Sequence, residues 1–332
     1  MKVAVIGLGA IGGLVAGYLK AKGLPVIAVG RPEQKKTVEN EGFIIDGVRG
    51  QSMLYFDVQP RLTEKVDLAI LTVKTQDLKD AVDKSRQFLT DTLILSTQNG
   101  VRADKLLSLM LGEEHIISSI VMFGATYTPF NKVVHNFEGQ WLIGRPFGPN
   151  DQKVKDVAAF LNTVLEAVEV ENIFAMKWTK LFVNFSNCLP ALLGKSMQET
   201  YADLKMCELA LKLLKEGFTA VEVLGIQLAS MPNFDLAKFK GLTQLPVQQA
   251  APIFSQIMTN LSKEPLFGSI LQSIQRDRLS EIDYINGEIA NQAKTHNCES
   301  KLNTKITALV HRVEKTKKFL TKEEVFKEMG AS

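Results

Sequence analysis

The opening stretch KVAVIGLGAIGGLVAGYLKAKGLPVIAVGRPEQKK constrains the fold more than any other part of the chain. Val3, Ala4, Val5 and Ile6 make an apolar, mostly β-branched run suited to a strand buried on both faces. From Ala10 to Ala21 the apolar residues recur at helical spacing, and Gly23 falls where a helix would stop. Residues 26–29 then read as a second strand. Between the first strand and the helix stands G-x-G-x-x-G, with Gly7, Gly9 and Gly12 as its glycines and Leu8, Ala10 and Ile11 between them. Gly7 permits a tight turn, Gly9 lets a pyrophosphate approach the backbone, and Gly12 lets helix and strand pack closely. Phosphates placed there meet the free N–H groups and positive end of the helix. The motif is common by itself; between strand and helix it points to a dinucleotide site.

The end of the second strand discriminates between cofactors. A site for NAD usually carries Asp or Glu there, hydrogen-bonded to the ribose 2′-hydroxyl. This chain has Gly30-Arg31, with Lys35 and Lys36 close behind. A carboxylate would repel a 2′-phosphate, whereas a guanidinium grips it with two hydrogen bonds. The expected cofactor is NADP(H), with Arg31 the main contact and the two lysines weaker ones.

The alternation continues. Residues 66–74 read as a buried strand, 77–89 as a helix, and 92–100 as a strand running into a polar turn. Ligands of open α/β sheets collect at the carboxyl ends of strands. Lys74 and Asn99 occupy such ends, although a surface lysine and an Asn-Gly turn would look the same in sequence. Residues 43–58 have hairpin character around Asp46-Gly47, and 116–143 are β-rich, with turn signals near Pro129 and Gly139. A helix over 152–166 and a strand near Val168 complete a first domain, residues 1–172.

Beyond it, helical periodicity takes over, at 174–193, 201–224, 265–293, 303–317 and 322–329. Residues 230–252, rich in Pro, Gly and Gln, read as loops, and the charged C-terminal stretch as a solvated helical surface. The expected architecture is an α/β Rossmann-type dinucleotide-binding domain followed by an all-helical domain over 173–332, with the substrate between them. A length of 332 residues agrees with two domains.

A net charge of +3 with scattered Lys and Arg gives nucleic-acid binding no electrostatic support. Cys188, Cys207 and Cys298 lack CxxC spacing and read as reduced thiols; His115, His135, His296 and His311 form no ligand pattern, so no metal is expected. The glycines between Gly7 and Gly17 argue against a signal peptide or membrane anchor, leaving the cytoplasm as the expected location and no membrane partner.

One polar set interrupts the apolar helical half. In MKWTKLFVNFSNCLP, Lys180 precedes Asn184 by one turn and Asn187 follows; on one ideal helix the three share a face, with Cys188 beside them. Further on, Ser269 and Glu281 lie twelve residues apart, which on a continuous helix puts them on one side. A lysine laid along the surface and an exposed helix carboxylate are the plain alternatives.

Taken in order, GLGAIGG, the arginine after the second strand, TVKTQD, QNG, KWTKLFVN and GSILQSIQRDRLSEIDYINGEI resemble the ketopantoate reductases, the 2-dehydropantoate 2-reductases, over nearly the whole chain. The resemblance implies NADPH-dependent reduction of 2-dehydropantoate to (R)-pantoate, a step toward pantothenate and coenzyme A. It implies Arg31 on the 2′-phosphate, and Lys74 and Asn99 beside nicotinamide and substrate. It makes Lys180 the general acid, sets Asn184 and Ser269 on the substrate, and Glu281 on the substrate hydroxyl or on Lys180. It leaves the chain a monomer or homodimer. Two positions depart from the family pattern: Cys188 stands where many members have asparagine, and Ser273 where an aspartate often follows the serine motif. A same-fold reductase of another 2-oxo acid and a non-catalytic NADP(H)-binding sensor are the alternative readings.

Overall fold

The chain divides into two units, Met1–Phe174 and Ala175–Ser332. The computed structural model describes residues 1–330 apart from Pro129, Asn233, Lys263, Asn297 and Cys298, so the turn expected at Pro129 and the thiol at Cys298 lie outside the described residues.

In the first unit the elements run β1 (Val3–Ile6), α1 (Ala10–Ala21), β2 (Val26–Val29), α2 (Pro32–Glu41), β3 (Phe43–Gly47), β4 (Ser52–Leu54), β5 (Val58–Gln59), β6 (Leu68–Leu71), α3 (Leu78–Leu89) and β7 (Leu93–Ser96). They continue with α4 (Arg102–Leu111), β8 (Ile116–Val121), β9 (Gly124–Thr128), β10 (Lys132–Phe137), β11 (Trp141–Gly144), α5 (Gln152–Leu161) and β12 (Ala167–Glu169). The main sheet has the order β12-β11-β8-β7-β6-β1-β2-β5, and the smaller one β4-β3-β10-β9. β1 sits centrally, parallel to both β2 and β6. Alternation explains its unbroken apolar sequence: Val3 and Val5 enter the core on one face, Ala4 and Ile6 the core on the other. Leu68 and Ile70 of β6 join the first of these cores, Ala69 and Leu71 the second. Each fully buried Val, Leu or Ile of this kind contributes roughly 1.5–3 kcal/mol. The hairpin read around Asp46-Gly47 is the antiparallel pair β3–β4.

The second unit is helical among its described residues: α6 (Ile173–Phe185, whose first turn holds the boundary), α7 (Cys188–Leu193), α8 (Met197–Tyr201), α9 (Leu204–Val223), α10 (Leu236–Leu242), α11 (Val247–Thr259), α12 (Ser269–Gln275), α13 (Asn286–Thr295), α14 (Lys301–Thr316) and α15 (Lys322–Met329). Its interior includes Phe182 stacked on Phe218 at 4.2 Å between ring centroids.

Three expectations are corrected here. The helix expected over 174–193 breaks after Phe185. Pro190 has no N–H to give the Ser186 carbonyl, which accepts the Tyr201 hydroxyl at 2.5 Å instead. The helix expected over 265–293 is α12, a 3-10 turn and α13. α12 ends because Asp277 turns left-handed at φ +56°, and the Arg278 N–H closes back on the Ser273 carbonyl at 3.0 Å, as in a Schellman stop. The stretch 230–252, read as loops, contains α10 and the start of α11. There Ala250, Ala251, Phe254 and Met258 are buried at helical spacing, and that burial outweighs the roughly 3 kcal/mol penalty of Pro252 inside the helix.

Candidate active site

In the first unit the residues singled out at strand ends gather along one edge of the main sheet. Gly7 leaves β1 at φ +109°, a conformation open to glycine. A Cβ on Gly12 would lie 1.9 Å from the Gly7 carbonyl oxygen and 2.3 Å from Thr72 Oγ1, so helix and turn touch backbone to backbone. A Cβ on Gly9 would meet nothing within 4 Å, which leaves open the side from which a phosphate approaches. No side chain caps the start of α1, and its first turn holds no acidic residue. The turn at Gly7, Leu8, Gly9, Ala10, Ile11 and Gly12 therefore fits a dinucleotide pyrophosphate in both space and charge.

The turn is tied to its neighbours. The Gly7 N–H donates to the Val29 carbonyl at 2.9 Å, and the Thr72 hydroxyl donates to the Gly7 carbonyl at 2.5 Å. Lys74 follows β6 and leads a 3-10 turn; Asn99 follows β7, the adjacent parallel strand. Gln98, buried between them, donates to the carbonyls of Leu71 at 2.7 Å and Val73 at 2.8 Å and accepts the Ser96 hydroxyl at 3.0 Å. Lys74 and Asn99 thus stand on two strand ends that Gln98 stitches together.

Arg31 is exposed at the start of α2. Lys35 is committed elsewhere, 2.7 Å from both Glu39 and Asp57, whereas Lys36 is exposed. Of the two auxiliary cations expected near a 2′-phosphate, Lys35 already has carboxylate partners. Gln34, which sequence reasoning did not single out, is buried and accepts the Arg31 N–H at 3.0 Å. Its amide donates to the Leu8 carbonyl at 2.6 Å and the Tyr127 oxygen at 2.7 Å. Its place three residues after the helix cap is the spacing of a capping box, which is the signal that could have found it.

In the second unit, α6 carries Lys180 and Asn184 one turn apart. Lys180 is partly exposed along its length, yet burial pushes its ammonium pKa down to about 8. Asn184 is buried. The remaining amide does not continue this face. Asn187 caps α7, and its side chain lies against Gly268: a Cβ there would be 2.7 Å from Asn187 Oδ1. Gly268 immediately precedes Ser269, the exposed first residue of α12, so Asn187 is brought to the serine segment. Cys188 turns the other way. It is fully buried, with its thiol on the Phe185 carbonyl at 3.0 Å and its pKa pushed up to about 12, which leaves it an inert core thiol.

Glu281 is not on the helix of Ser269, contrary to expectation; it lies beyond the Asp277 turn, just before the 3-10 turn Ile282–Tyr284. What fixes that segment is Glu314 on α14. This buried carboxylate accepts the Ser280 N–H at 2.6 Å and lies 2.7 Å from His311 Nδ1, while His311 Nε2 lies 2.9 Å from Asp283. The C-terminal stretch read as a solvated surface therefore includes a buried anchor. Among the described residues no cluster of His, Cys, Asp and Glu is suited to a metal, and no helix is long and apolar enough to cross a membrane.

Parallel strands ending in an open glycine turn, followed by a helical unit, define a class: the Rossmann-type dinucleotide-binding proteins. The comparisons with known proteins narrow it. The sequence pattern described as "Ketopantoate reductase PanE/ApbA" matches residues 3–146, and that of the "Ketopantoate reductase PanE/ApbA C terminal" domain residues 172–314. A 2-dehydropantoate 2-reductase of Pyrococcus horikoshii is 30% identical over 93% of this chain and 96% of its own. A solved ketopantoate reductase of Ralstonia eutropha shares the fold at a TM-score of 0.79 and 22% identity, covering 95% of this chain and 99% of that one. A D-mandelate dehydrogenase solved with NADH and anilino(oxo)acetate does so at 0.81 and 22%, with the same coverage. The chain belongs to the ketopantoate reductase family.

Proposed function

We propose that the chain reduces 2-dehydropantoate to (R)-pantoate with NADPH, with Lys180 as the proton donor. The observation that carries this reading is the placing of Lys180 one turn before the buried Asn184 on α6, where burial brings the lysine's pKa down to about 8. Such an ammonium is acidic enough to give up its proton near neutral pH, and positioned acid catalysis contributes roughly 10²–10⁴-fold. The bound nicotinamide supplies the hydride. As negative charge builds on the ketone oxygen, the Lys180 ammonium stabilises it and then protonates it. Asn184 and Ser269 hold the oxo acid, Glu281 accepts its hydroxyl, and Lys74 and Asn99 orient the reacting groups. The Arg31 guanidinium binds the 2′-phosphate, a reading supported by its exposure at the end of β2 and by the lack of an acidic residue at that position.

A second reading, reduction of a different 2-oxo acid, draws on three observations. Cys188 is withdrawn into the core, Asn187 is diverted to Gly268, and a structural neighbour is a D-mandelate dehydrogenase. NADPH oxidation measured against a panel of 2-oxo acids decides. Turnover of 2-dehydropantoate well above the others is the expected outcome; turnover of another acid alone would replace the substrate. In the same assay Lys180→Ala lowers kcat by about 10² or more while cofactor affinity holds. An unchanged kcat would remove Lys180 as the acid.

A further inference from the structure

Gln34 is buried, yet each of its polar atoms is used, and the three partners belong to three separate segments of the cofactor site. Its Nε2 donates to the carbonyl of Leu8, inside the glycine turn, and to the Tyr127 oxygen on β9; its Oε1 accepts the N–H of Arg31. The orientation is unambiguous, because a flipped amide would face oxygen to the Leu8 carbonyl and nitrogen to the Arg31 N–H. Tyr127 completes the chain by donating its own proton to the Phe130 carbonyl at 3.1 Å, so toward Gln34 its oxygen acts as the acceptor. Gly30 makes room for this arrangement: a Cβ there would fall 2.9 Å from the Gln34 oxygen.

We propose that Gln34 is a specificity-positioning residue for the cofactor, locking the backbone of Arg31 to the glycine turn so that the guanidinium stands at the 2′-phosphate of a dinucleotide seated there. The inference rests on the reading of Arg31 given above. A helix cap alone would need only the Arg31 N–H contact. The two further bonds, one to the turn and one to the small sheet, fix where the cap stands. Loss of Gln34 leaves the Arg31 side chain intact but frees its base to wander. NADPH then loses a bidentate contact that NADH never makes.

The test is a double-mutant cycle read as dissociation constants for NADPH and NADH on the full chain. Gln34→Met keeps the side-chain length and removes both polar ends. It is expected to weaken NADPH about tenfold and NADH by less than about threefold. In an Arg31→Ala background the NADPH-specific loss should vanish, since there is no guanidinium left to misplace. Equal losses for the two cofactors, or an NADPH loss that persists without Arg31, would overturn the proposal while leaving Arg31 as the 2′-phosphate ligand. Should Arg31→Ala alone weaken NADPH and NADH equally, the reading of Arg31 fails, and the role of Gln34 falls with it. Tyr127→Phe offers a milder perturbation if Gln34→Met does not fold. By removing the acceptor behind the Gln34 amide, it should shift the NADPH preference the same way by about twofold, and an unchanged preference would count against the proposal.

Discussion

The glycine turn of the first unit and the polar set of the second keep their geometry by different means. At the turn, backbone meets backbone: the Gly12 position sits against the Gly7 carbonyl, and Thr72 ties the turn to β6. In the helical unit, side chains from distant segments hold the loops that carry the polar groups. Asn187 packs on Gly268, and Glu314 anchors Ser280. The first arrangement is part of the core's own packing, so at Gly12 stability and binding fall together. The second places a buried ammonium in a helix that would be more stable without it.

The sharpest way to break this contrast is substitution inside the turn. Gly12→Ala would drive a methyl into the Gly7 carbonyl and Thr72, costing about 3 kcal/mol of stability and abolishing cofactor binding. Gly9→Ala meets nothing in the protein, so stability should hold within about 0.5 kcal/mol while dinucleotide affinity falls at least about tenfold. Thermal unfolding and cofactor titration on the two variants measure both quantities. If Gly12→Ala unfolds no earlier than Gly9→Ala, the backbone-packed description of the turn is wrong.

The matching variant in the helical unit is Lys180→Met, and its sign is opposite. The folded pKa of Lys180 is lowered from 10.5 to about 8, so between those values the unfolded chain binds the extra proton. Stability therefore rises with pH through that window, and below it the buried ammonium destabilises the fold. Lys180→Met should gain about 2 kcal/mol at pH 7 and less at pH 10 while losing turnover. In the parent protein kcat should decline as pH rises above about 8, where the acid loses its proton. A Lys180→Met protein less stable than its parent at pH 7 would show that the lysine stem, rather than its charge, dominates the site.

His311 tests the anchor of the Glu281 segment. Bonds to Asp283 and Glu314 raise its pKa to about 10, from 6.5. A raised pKa contributes stability in full below about 6.5, and that contribution is lost as pH climbs through about 10. His311→Asn should cost about 1 kcal/mol at pH 6, a figure kept small because the imidazole is partly exposed, and close to nothing at pH 10. A cost independent of pH would mean that the ring serves by packing alone.

The same division explains what was legible in the sequence. β1, α1 and β2 were readable to the residue, because a buried parallel strand, a glycine turn and a helix each follow from local pattern. Lys74 and Asn99 could be placed at strand ends for the same reason. Gln34, Gln98 and Glu314 left weaker traces, since all but one of the bonds of each reach a partner 25 residues away or more. The break after Phe185 has a local sign in Pro190, but the partner that satisfies the freed Ser186 carbonyl, Tyr201, lies 15 residues further on. Periodicity joined Ser269 to Glu281 because nothing nearby in sequence says stop; the stop is an aspartate where a glycine would be the ordinary choice.

That aspartate supplies the smallest effect. Among the described residues two non-glycines, Asp277 and Lys317, have positive φ, and their side chains are paired at 2.5 Å. Asp277→Gly relieves about 1 kcal/mol of left-handed strain. Against this stand an exposed ion pair worth about 0.5 kcal/mol and the greater freedom of glycine in the unfolded chain. The balance is a gain of no more than about 0.5 kcal/mol at low salt. At about 1 M salt the ion pair of the parent is screened, so its loss costs less and the gain should widen. If instead Asp277→Gly is destabilising at both salt concentrations, the stop of α12 depends on the aspartate itself, and the Glu281 segment is held from its start as well as by Glu314.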